Sequence, residues 1–144
     1  MNESDLQVKV ADYIRLQYPW AVFHSDFGSG IKLTIGQAAK QKRQNGGQRA
    51  WPDMFIAEPK LIKVTPIIGE RRGYTIRLHG LFLELKKEGT RLKKKNGEWA
   101  SEHILEQAEV LLKLRARGYR AEFAVGFDEA KEAIDNYLGK DCNE

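Results

Sequence analysis

Apolar side chains recur every three or four residues in three stretches of the chain, a spacing that predicts amphipathic helices. The first helix is predicted over residues 3 to 18 and ends at Pro19. The second is predicted over residues 101 to 117, with Gly118 placed to stop it. The third follows Asp128, which we expect to cap its first turn. The predicted inward stripe of the second helix consists of Ile104, Ala108, Leu111, Leu112 and Arg115.

Shorter apolar runs between these helices predict the strands of a sheet. Two runs alternate between apolar and polar side chains around the turn GERRG, so they predict an inserted β-hairpin at about 61 to 78. A polar stretch at 34 to 44 is weakly helical. The pattern as a whole predicts an α/β fold in which helices flank a central mixed β-sheet. The sheet strands are predicted at residues 21 to 26, 54 to 58, 81 to 87 and 121 to 127.

The length of 144 residues fits a single domain, predicted over residues 1 to 140 with a short polar tail at 141 to 144. Hydrophobic residues make up 42% and charged residues 31%, which is typical of a soluble globular protein. No apolar run approaches the roughly 18 residues that span a bilayer. Because the amino end is acidic and polar, unlike a secretory signal, we expect a cytoplasmic protein. The single cysteine, Cys142, excludes an intrachain disulfide.

A formal net charge of +4 suits a polyanionic partner, although many basic proteins bind no nucleic acid. The distribution of the charge is more informative, because the basic residues form three groups around one candidate acidic site. A single basic run is usually a solvated loop, but three such groups favour contacts with phosphate. The groups are Lys40, Lys42, Arg43 and Arg49, then Arg71 and Arg72, and finally Arg91, Lys93, Lys94 and Lys95.

The run LFLELKK, residues 81 to 87, places two charged side chains inside the most strand-like segment of the chain. Residues two apart in a strand lie on one face about 7 Å apart, so Glu84 and Lys86 share a face. Burying an unpaired carboxylate or ammonium group is costly, so the two side chains need a mutual contact or a ligand. The structural alternative is that Lys86 marks the exposed end of the strand and Glu84 pairs with a neighbour.

Asp53 stands directly before the apolar run 54 to 58, after Pro52. Pro-Asp is also ordinary turn chemistry, so the residue alone indicates little. If this strand neighbours the run 81 to 87 in the sheet, Asp53 and Glu84 converge on one point. Hard divalent cations such as Mg²⁺ bind oxygen clusters of this kind and orient water for attack on phosphorus. The sequence therefore predicts a phosphodiester-cutting site in which Lys86 holds the water or the phosphate.

Asp53 followed by E-x-K at residues 84 to 86 resembles the PD-(D/E)xK nuclease superfamily, whose fold is restriction-endonuclease-like. That motif is short, but nearly the whole chain resembles the VRR-NUC family within this superfamily. The features that carry the resemblance are the first helix with Glu3, Leu6 and Gln7, the strand LELKKEGTR, the later helix with Glu106 and Gln107, and a final strand ending near Gly126.

The resemblance implies a role for each matching residue of the central motif. It implies that Asp53 and Glu84 are metal ligands, that the backbone carbonyl of Leu85 is a further ligand, and that Lys86 is the catalytic lysine.

Two helical residues match the family outside this motif. Glu3 matches an acidic residue that helps with the metal or the water, and Gln107 matches a glutamine of the later helix. Each has a structural alternative: Glu3 also suits the positive end of a helix, and Gln107 suits an exposed helical position.

The resemblance also implies an activity. It implies a Mg²⁺-dependent endonuclease, with Mn²⁺ as a substitute, that hydrolyses phosphodiester bonds of DNA in branched structures such as Holliday junctions or flaps. Stand-alone relatives resemble junction resolvases, work as homodimers and are often phage proteins, which implies DNA repair and recombination in a host cytoplasm. The competing hypothesis is a catalytically inactive nucleic-acid-binding or protein-interaction module of the same fold.

The chain departs from the family pattern in two places. Members commonly carry Gly-x-Pro-Asp where residues 50 to 53 read Ala-Trp-Pro-Asp, which puts the turn before the aspartate in question. The hairpin at 61 to 78 lengthens the separation between Asp53 and Glu84 to 31 positions. It could extend the substrate surface or contact a second subunit.

The histidines and glycines suggest no second site. His24, His79 and His103 lack the ligand spacing of a zinc site, although His103 could contact a phosphate from the start of its helix. The glycines at 28, 30, 46 and 47 form no phosphate-binding fingerprint and are assigned to turns.

Overall fold

The computed structural model describes residues 1 to 26, 32 to 66, 68 to 69 and 72 to 139. The predicted glycine turn at 27 to 30, Arg71 and the predicted tail at 141 to 144 lie outside the described residues. None of the described helices is both long enough and apolar enough to span a bilayer. In chain order the elements are α1 (Glu3–Gln17), β1 (Phe23–Ser25), α2 (Ile35–Gln44), β2 (Met54–Ile56), β3 (Lys60–Val64), β4 (Tyr74–Leu78), β5 (Leu81–Lys86), α3 (Glu102–Ala116), β6 (Arg120–Val125) and α4 (Gly126–Leu138).

Four strands form the central sheet in the order β1-β2-β5-β6. β1 pairs antiparallel with β2, and β2 pairs antiparallel with β5, whereas β5 and β6 run parallel. A parallel pair needs a crossover connection, and α3 supplies it. The sheet is therefore mixed, and the predicted α/β architecture with flanking helices is confirmed.

Every residue of β5 is buried, so both faces of the sheet are covered along this strand. Leu81, Leu83 and Leu85 belong to the larger core cluster, which α1 and α4 complete. Phe82 points to the other face and packs with residues of α3. Because alternate side chains of a strand share a face, Glu84 and Lys86 continue the face of Phe82. The α3 side of the sheet therefore changes from apolar to charged along β5.

Side-chain caps account for where three helices begin. Asn2 accepts a hydrogen bond from the N–H of Asp5 at the start of α1, and Ser101 accepts one from Ile104 at the start of α3. Thr34 and Gln37 form a reciprocal capping box at α2, the predicted polar helix. None of the residues of α2 is buried, so this cap stabilises a helix that packing supports little.

β3 and β4 pair antiparallel as a separate two-stranded sheet, which confirms the predicted hairpin. β3 ends at Val64, five residues before the start of the predicted turn GERRG at Gly69. Pro66 lacks the N–H that a continuing ladder would need, which is consistent with this earlier end.

The predicted start of the last helix is wrong. α4 begins at Gly126, and its N-cap residue Val125 makes no side-chain capping bond, so Asp128 lies within the first turn. The φ angle of 82° at Gly126 is in the left-handed region that glycine adopts without strain, so the chain turns directly from β6 into α4. β6 consequently ends at Val125 rather than at 127.

The predicted inward stripe of α3 is wrong at two of its positions. Leu112 is 61% exposed and Arg115 is also exposed. Gln107 and Leu114 are buried in their place. The helix therefore directs a polar side chain, Gln107, towards the charged end of β5.

Candidate active site

The antiparallel pairing of β2 and β5 brings Asp53 and Glu84 together. Met54 pairs with Leu83 in this ladder, and one further step in the same register places Asp53 opposite Glu84. Directly opposite residues lie on the same face of a sheet with their Cβ atoms about 5 Å apart. Two carboxylates therefore face each other at the end of β2.

The backbone of Leu85 positions the Asp53 side chain. Its N–H donates a hydrogen bond of 2.8 Å to Oδ2 of Asp53. The N–H and C=O of one residue in an extended strand point to the same edge, so the Leu85 carbonyl projects towards the edge where Asp53 lies. The Asp53 carbonyl in turn accepts a hydrogen bond of 2.7 Å from the N–H of Asp26, which joins the site to the end of β1.

Glu84 is only 4% exposed and has a different environment at each carboxylate oxygen. Its Oε1 accepts a hydrogen bond of 2.7 Å from Nε2 of Gln107 on α3. Its Oε2 has no hydrogen-bond donor among the described residues, and neither does Oε1 of Gln107. A buried oxygen without a partner is costly, so Oε2 marks a position for a proton or a cation.

Lys86 lies beside Glu84 on the same face of β5. Its Nζ is 4.0 Å from Oε1 of Glu84, the outer limit of an ion pair. Lys86 is only 6% exposed, so it does not mark the solvent-exposed end of the strand. An ammonium group carries three donors, and at this distance it keeps donors for a further group in the site.

The electrostatics of the two carboxyl groups are dominated by burial. Burial raises the pKa of Glu84 to about 9, and the negative charge of Asp53 raises it as well. Burial also raises the pKa of Asp53, against the effect of its hydrogen bond from Leu85. The charge of Lys86 lowers both pKa values without offsetting burial. Two such carboxyl groups retain a proton at neutral pH unless a cation neutralises them.

These side chains open onto a cleft of about 490 Å³. Glu3 reaches the cleft from the start of α1, and its charge raises the pKa values of Asp53 and Glu84. No three His, Cys, Asp or Glu side chains in the described part of the chain are close enough to hold a metal ion together, so Glu3 does not complete a three-residue ligand set. The cleft is lined by Glu3, Asp26, Ala38, Gln41, Lys42, Asn45, Gln48, Arg49, Ala50, Trp51, Asp53, Glu84, Lys86, His103 and Gln107.

The first predicted group of nucleic-acid-binding residues is divided by the structure. Lys42 and Arg49 line the cleft, whereas Lys40 and Arg43 lie exposed on α2 without lining it. Arg49 also lies 3.8 Å from the carboxylate of Glu106 on α3. Positive charge therefore flanks the acidic centre on the α2 side.

The basic loop after β5 lies outside the cleft lining. Lys93 forms a β-bridge with Trp99, and its ammonium group lies 4.7 Å from the centre of the Trp99 ring. Trp99 packs against Phe123 of β6, with ring centres 5.7 Å apart. The loop that presents Arg91, Lys93, Lys94 and Lys95 is therefore anchored to the sheet.

Asp26 and Trp51 are among the cleft residues that sequence patterns did not predict. Asp26 directly follows β1, next to Asp53 in the sheet, and an acidic residue at the end of a predicted strand was the only available signal. Trp51 is 47% exposed and had no signal beyond its place in the Pro-Asp turn. Of the histidines, His103 lines the cleft, whereas His24 and His79 do not.

Ala50 stands at the position where the Gly-x-Pro-Asp pattern has glycine. Its φ angle is 58°, in the left-handed region, and it is the only residue other than glycine with a positive φ among those the structure describes. This conformation costs an L-residue about 1–2 kcal/mol and costs glycine little. The turn before Asp53 is thus kept, at the expense of backbone strain.

Comparison with solved structures shows what this arrangement is similar to. The chain matches a structure described as a "VRR_NUC domain protein" with a TM-score of 0.60 and 23% sequence identity, over 96% of this chain and 88% of that chain. This chain has a VRR-NUC fold. The restriction-endonuclease-like fold class predicted from the sequence is thereby confirmed. No protein-family model and no curated protein matches the chain.

Proposed function

We propose that this VRR-NUC-fold protein is a metal-dependent DNA endonuclease that hydrolyses phosphodiester bonds. The observation that carries the proposal is the buried pair of Asp53 and Glu84, with an oxygen of Glu84 that lacks a donor and Lys86 alongside. A purely structural site would pair each buried charge, because an uncompensated carboxylate in the interior is strongly destabilising.

The residues of the site fit a hard divalent cation. Asp53, Glu84 and the Leu85 carbonyl would supply the oxygen ligands that Mg²⁺ prefers, with water completing its coordination, and Mn²⁺ would take the same set. When bound, such a cation lowers the pKa of a water molecule and stabilises negative charge on the transferring phosphoryl group. No three acidic side chains among the described residues are close enough to hold a cation together, so Glu3 is not included in this ligand set.

The remaining side chains have separate tasks. Lys86 donates hydrogen bonds to the attacking water or to a phosphate oxygen, which its distance of 4.0 Å from Glu84 allows. Gln107 donates a hydrogen bond to Oε1 of Glu84, which would leave Oε2 available to a cation. Lys42 and Arg49 attract the DNA backbone to the mouth of the cleft.

We infer the substrate and the assembly from the family resemblance. Resemblance to the VRR-NUC family supports branched DNA, such as Holliday junctions or flaps, and a homodimer that makes paired cuts. It also supports a place in DNA repair and recombination.

The competing function is an inactive nucleic-acid-binding module. The buried carboxylates count against it, because a module that only binds DNA gains nothing from two acids that repel phosphate.

The test is cleavage of four-way, flap, splayed and linear DNA in Mg²⁺, Mn²⁺ or EDTA, by the wild type and by Asp53→Ala and Lys86→Ala. We expect cutting only by the wild type and only with a metal ion. Cutting that survives EDTA or either substitution would refute the assigned site. A folded wild type that binds all four DNAs and cuts none would establish the inactive module.

A further inference from the structure

Trp51 is an exposed aromatic side chain at the wall of the cleft. It is 47% exposed, although its two following residues, Pro52 and Asp53, turn into the protein. Its ring rests edge-on against Phe82, with centres 5.5 Å apart and planes at 75°. Phe82 is itself stacked on Phe55 at 4.3 Å. The indole of Trp51 therefore packs against an aromatic cluster that includes Phe82 and Phe55.

A small pocket lies against this ring. Its volume is about 130 Å³, and it is lined by Asn45, Gln48 and Trp51. Pockets that enclose drug-sized ligands measure roughly 300–1,000 Å³, so this one suits a single planar heterocycle. The same three residues also line the cleft that Asp53 and Glu84 line, so the pocket adjoins the proposed catalytic site.

The polar residues of the pocket are carried on an ordered turn. The N–H of Gln48 donates to the Asn45 carbonyl at 3.1 Å, and the N–H of Gly47 donates to the Lys42 carbonyl at 2.8 Å. The Gln48 side chain donates from Nε2 to the Arg49 carbonyl at 2.7 Å, and its Oε1 can accept a further hydrogen bond. Amide side chains can donate to and accept from the edge of a nucleobase.

We propose that the pocket of Asn45, Gln48 and Trp51 binds one unpaired nucleobase of the DNA beside the phosphate that is cut. Trp51 stacks on the face of the base, and the two amides contact its edge. A base inside an intact duplex is stacked between its neighbours and cannot enter, so the site selects DNA with an unpaired or extruded nucleotide at this position. The proposal rests on the proposed nuclease function and specifies its substrate.

The test compares two DNA duplexes that differ only in whether one unpaired residue carries a base. One carries a single unpaired adenosine, and the other carries an abasic tetrahydrofuran residue at the same place. Binding is measured by fluorescence anisotropy in EDTA, where no cleavage is expected, with wild type, Trp51→Ala, Trp51→Phe and Trp20→Ala. Trp20 is 58% exposed, contacts Tyr18 and does not line the cleft, so it is the matched control.

Stacking of one base on an aromatic side chain predicts that the wild type and Trp20→Ala bind the adenosine duplex about 5- to 150-fold more tightly than the abasic duplex. The preference is expected to disappear in Trp51→Ala and to persist in part in Trp51→Phe. Equal binding of both duplexes by the wild type, or an unchanged preference in Trp51→Ala, would overturn the inference. The abasic duplex shows within each variant whether general DNA binding, and hence folding, is intact.

The outcome is separable from that of the nuclease proposal. A base preference without Mg²⁺-dependent cleavage would refute the proposed nuclease function and support the proposed base-binding pocket. Cleavage that Asp53→Ala abolishes, together with no base preference, would support the nuclease function and refute the base-binding pocket.

Discussion

Glu84 is a buried carboxyl group with a measurable effect on stability. The folded chain holds its proton up to a pKa of about 9, whereas the unfolded chain loses it near the ordinary value of 4.5. Between these values the folded state binds more protons than the unfolded state, so stability falls as the pH rises. Asp53 and Glu122, whose pKa values burial also raises, contribute in the same direction.

We therefore predict that in EDTA the free energy of unfolding decreases from about pH 5 to about pH 9, and that Glu84→Gln removes most of this decrease. The amide keeps the bond with Gln107 and carries no charge. Urea denaturation at pH 5, 7 and 9 measures the effect, with Glu109→Gln on the exposed face of α3 as the control. An unaltered pH dependence in Glu84→Gln would contradict the assignment.

The backbone conformation of Ala50 has a testable effect on stability. Because its φ angle of 58° is strained for alanine, Ala50→Gly is expected to raise the free energy of unfolding by about 1 kcal/mol. Ala133→Gly within α4 is the control, and it should lower stability by about the same amount. Thermal denaturation in EDTA measures both. Destabilisation by Ala50→Gly would show that the turn is not strained.

Gln107 tests how the carboxylate is oriented. Gln107→Leu keeps the side chain's size and removes the donor to Glu84, so we expect Mg²⁺ affinity and cleavage to fall about 10- to 100-fold. Titration calorimetry and cleavage rates measure the change, and the exposed Leu112→Gln on the same helix is the control. An unchanged Mg²⁺ affinity in Gln107→Leu would show that Gln107 does not orient Glu84 for metal binding.

The sequence predicted the acidic pair but did not predict Asp26 and Trp51, for a physical reason. Glu84 and Lys86 interrupt an apolar strand, and strand alternation alone places them on one face. Asp26 reaches the cleft because β1 pairs with β2, and Trp51 lines it while its ring packs against Phe82. Both depend on contacts that no local pattern encodes.

Among the elements, the basic loop after β5 is the one whose role in DNA binding can be isolated. It is anchored by Trp99 and lies outside the cleft, so changing it leaves the acidic pair intact. Each phosphate contact that is lost lowers the slope of log affinity against log salt by about 0.9.

We predict that the triple variant Lys93→Ala, Lys94→Ala, Lys95→Ala binds duplex DNA more weakly and with a salt slope lower by about 1 to 3. Binding measured between about 50 and 200 mM salt gives the slope. Lys113→Ala, on the exposed side of α3, should leave it unchanged. An unchanged slope in the triple variant would exclude the loop from the DNA interface.

The elements themselves were predicted where periodicity was strong, and a boundary or a buried face was predicted wrongly where one residue decided it. α1, α3 and the hairpin follow from spacing and caps. The start of α4 depended on the left-handed φ of Gly126, and the inward face of α3 depended on a buried Gln107. A polar residue in a buried stripe has no hydrophobic signal, so the predicted stripe included Leu112 and Arg115 and omitted Gln107.

For the whole molecule, the fold class followed from the order of elements, but the strand order did not. β5 lies between β2 and β6 because the hairpin is excluded from the sheet and α3 crosses over to a parallel strand. These pairings join segments far apart in the chain. They are also what makes a site from residues 53 and 84, since Asp53 faces Glu84 only in this register.

The most direct test of this account is the single-turnover rate of DNA cleavage with excess Mg²⁺ by the wild type and by Asp53→Asn. The substitution keeps the side chain's shape and removes the charge that a cation needs. Losing a metal ligand should exceed the roughly 10- to 100-fold effect of groups that only orient one, so we expect the rate to fall more than about 100-fold. Asp12→Asn, on the exposed face of α1, should cut like the wild type. Equal rates for Asp53→Asn and the wild type would contradict the account.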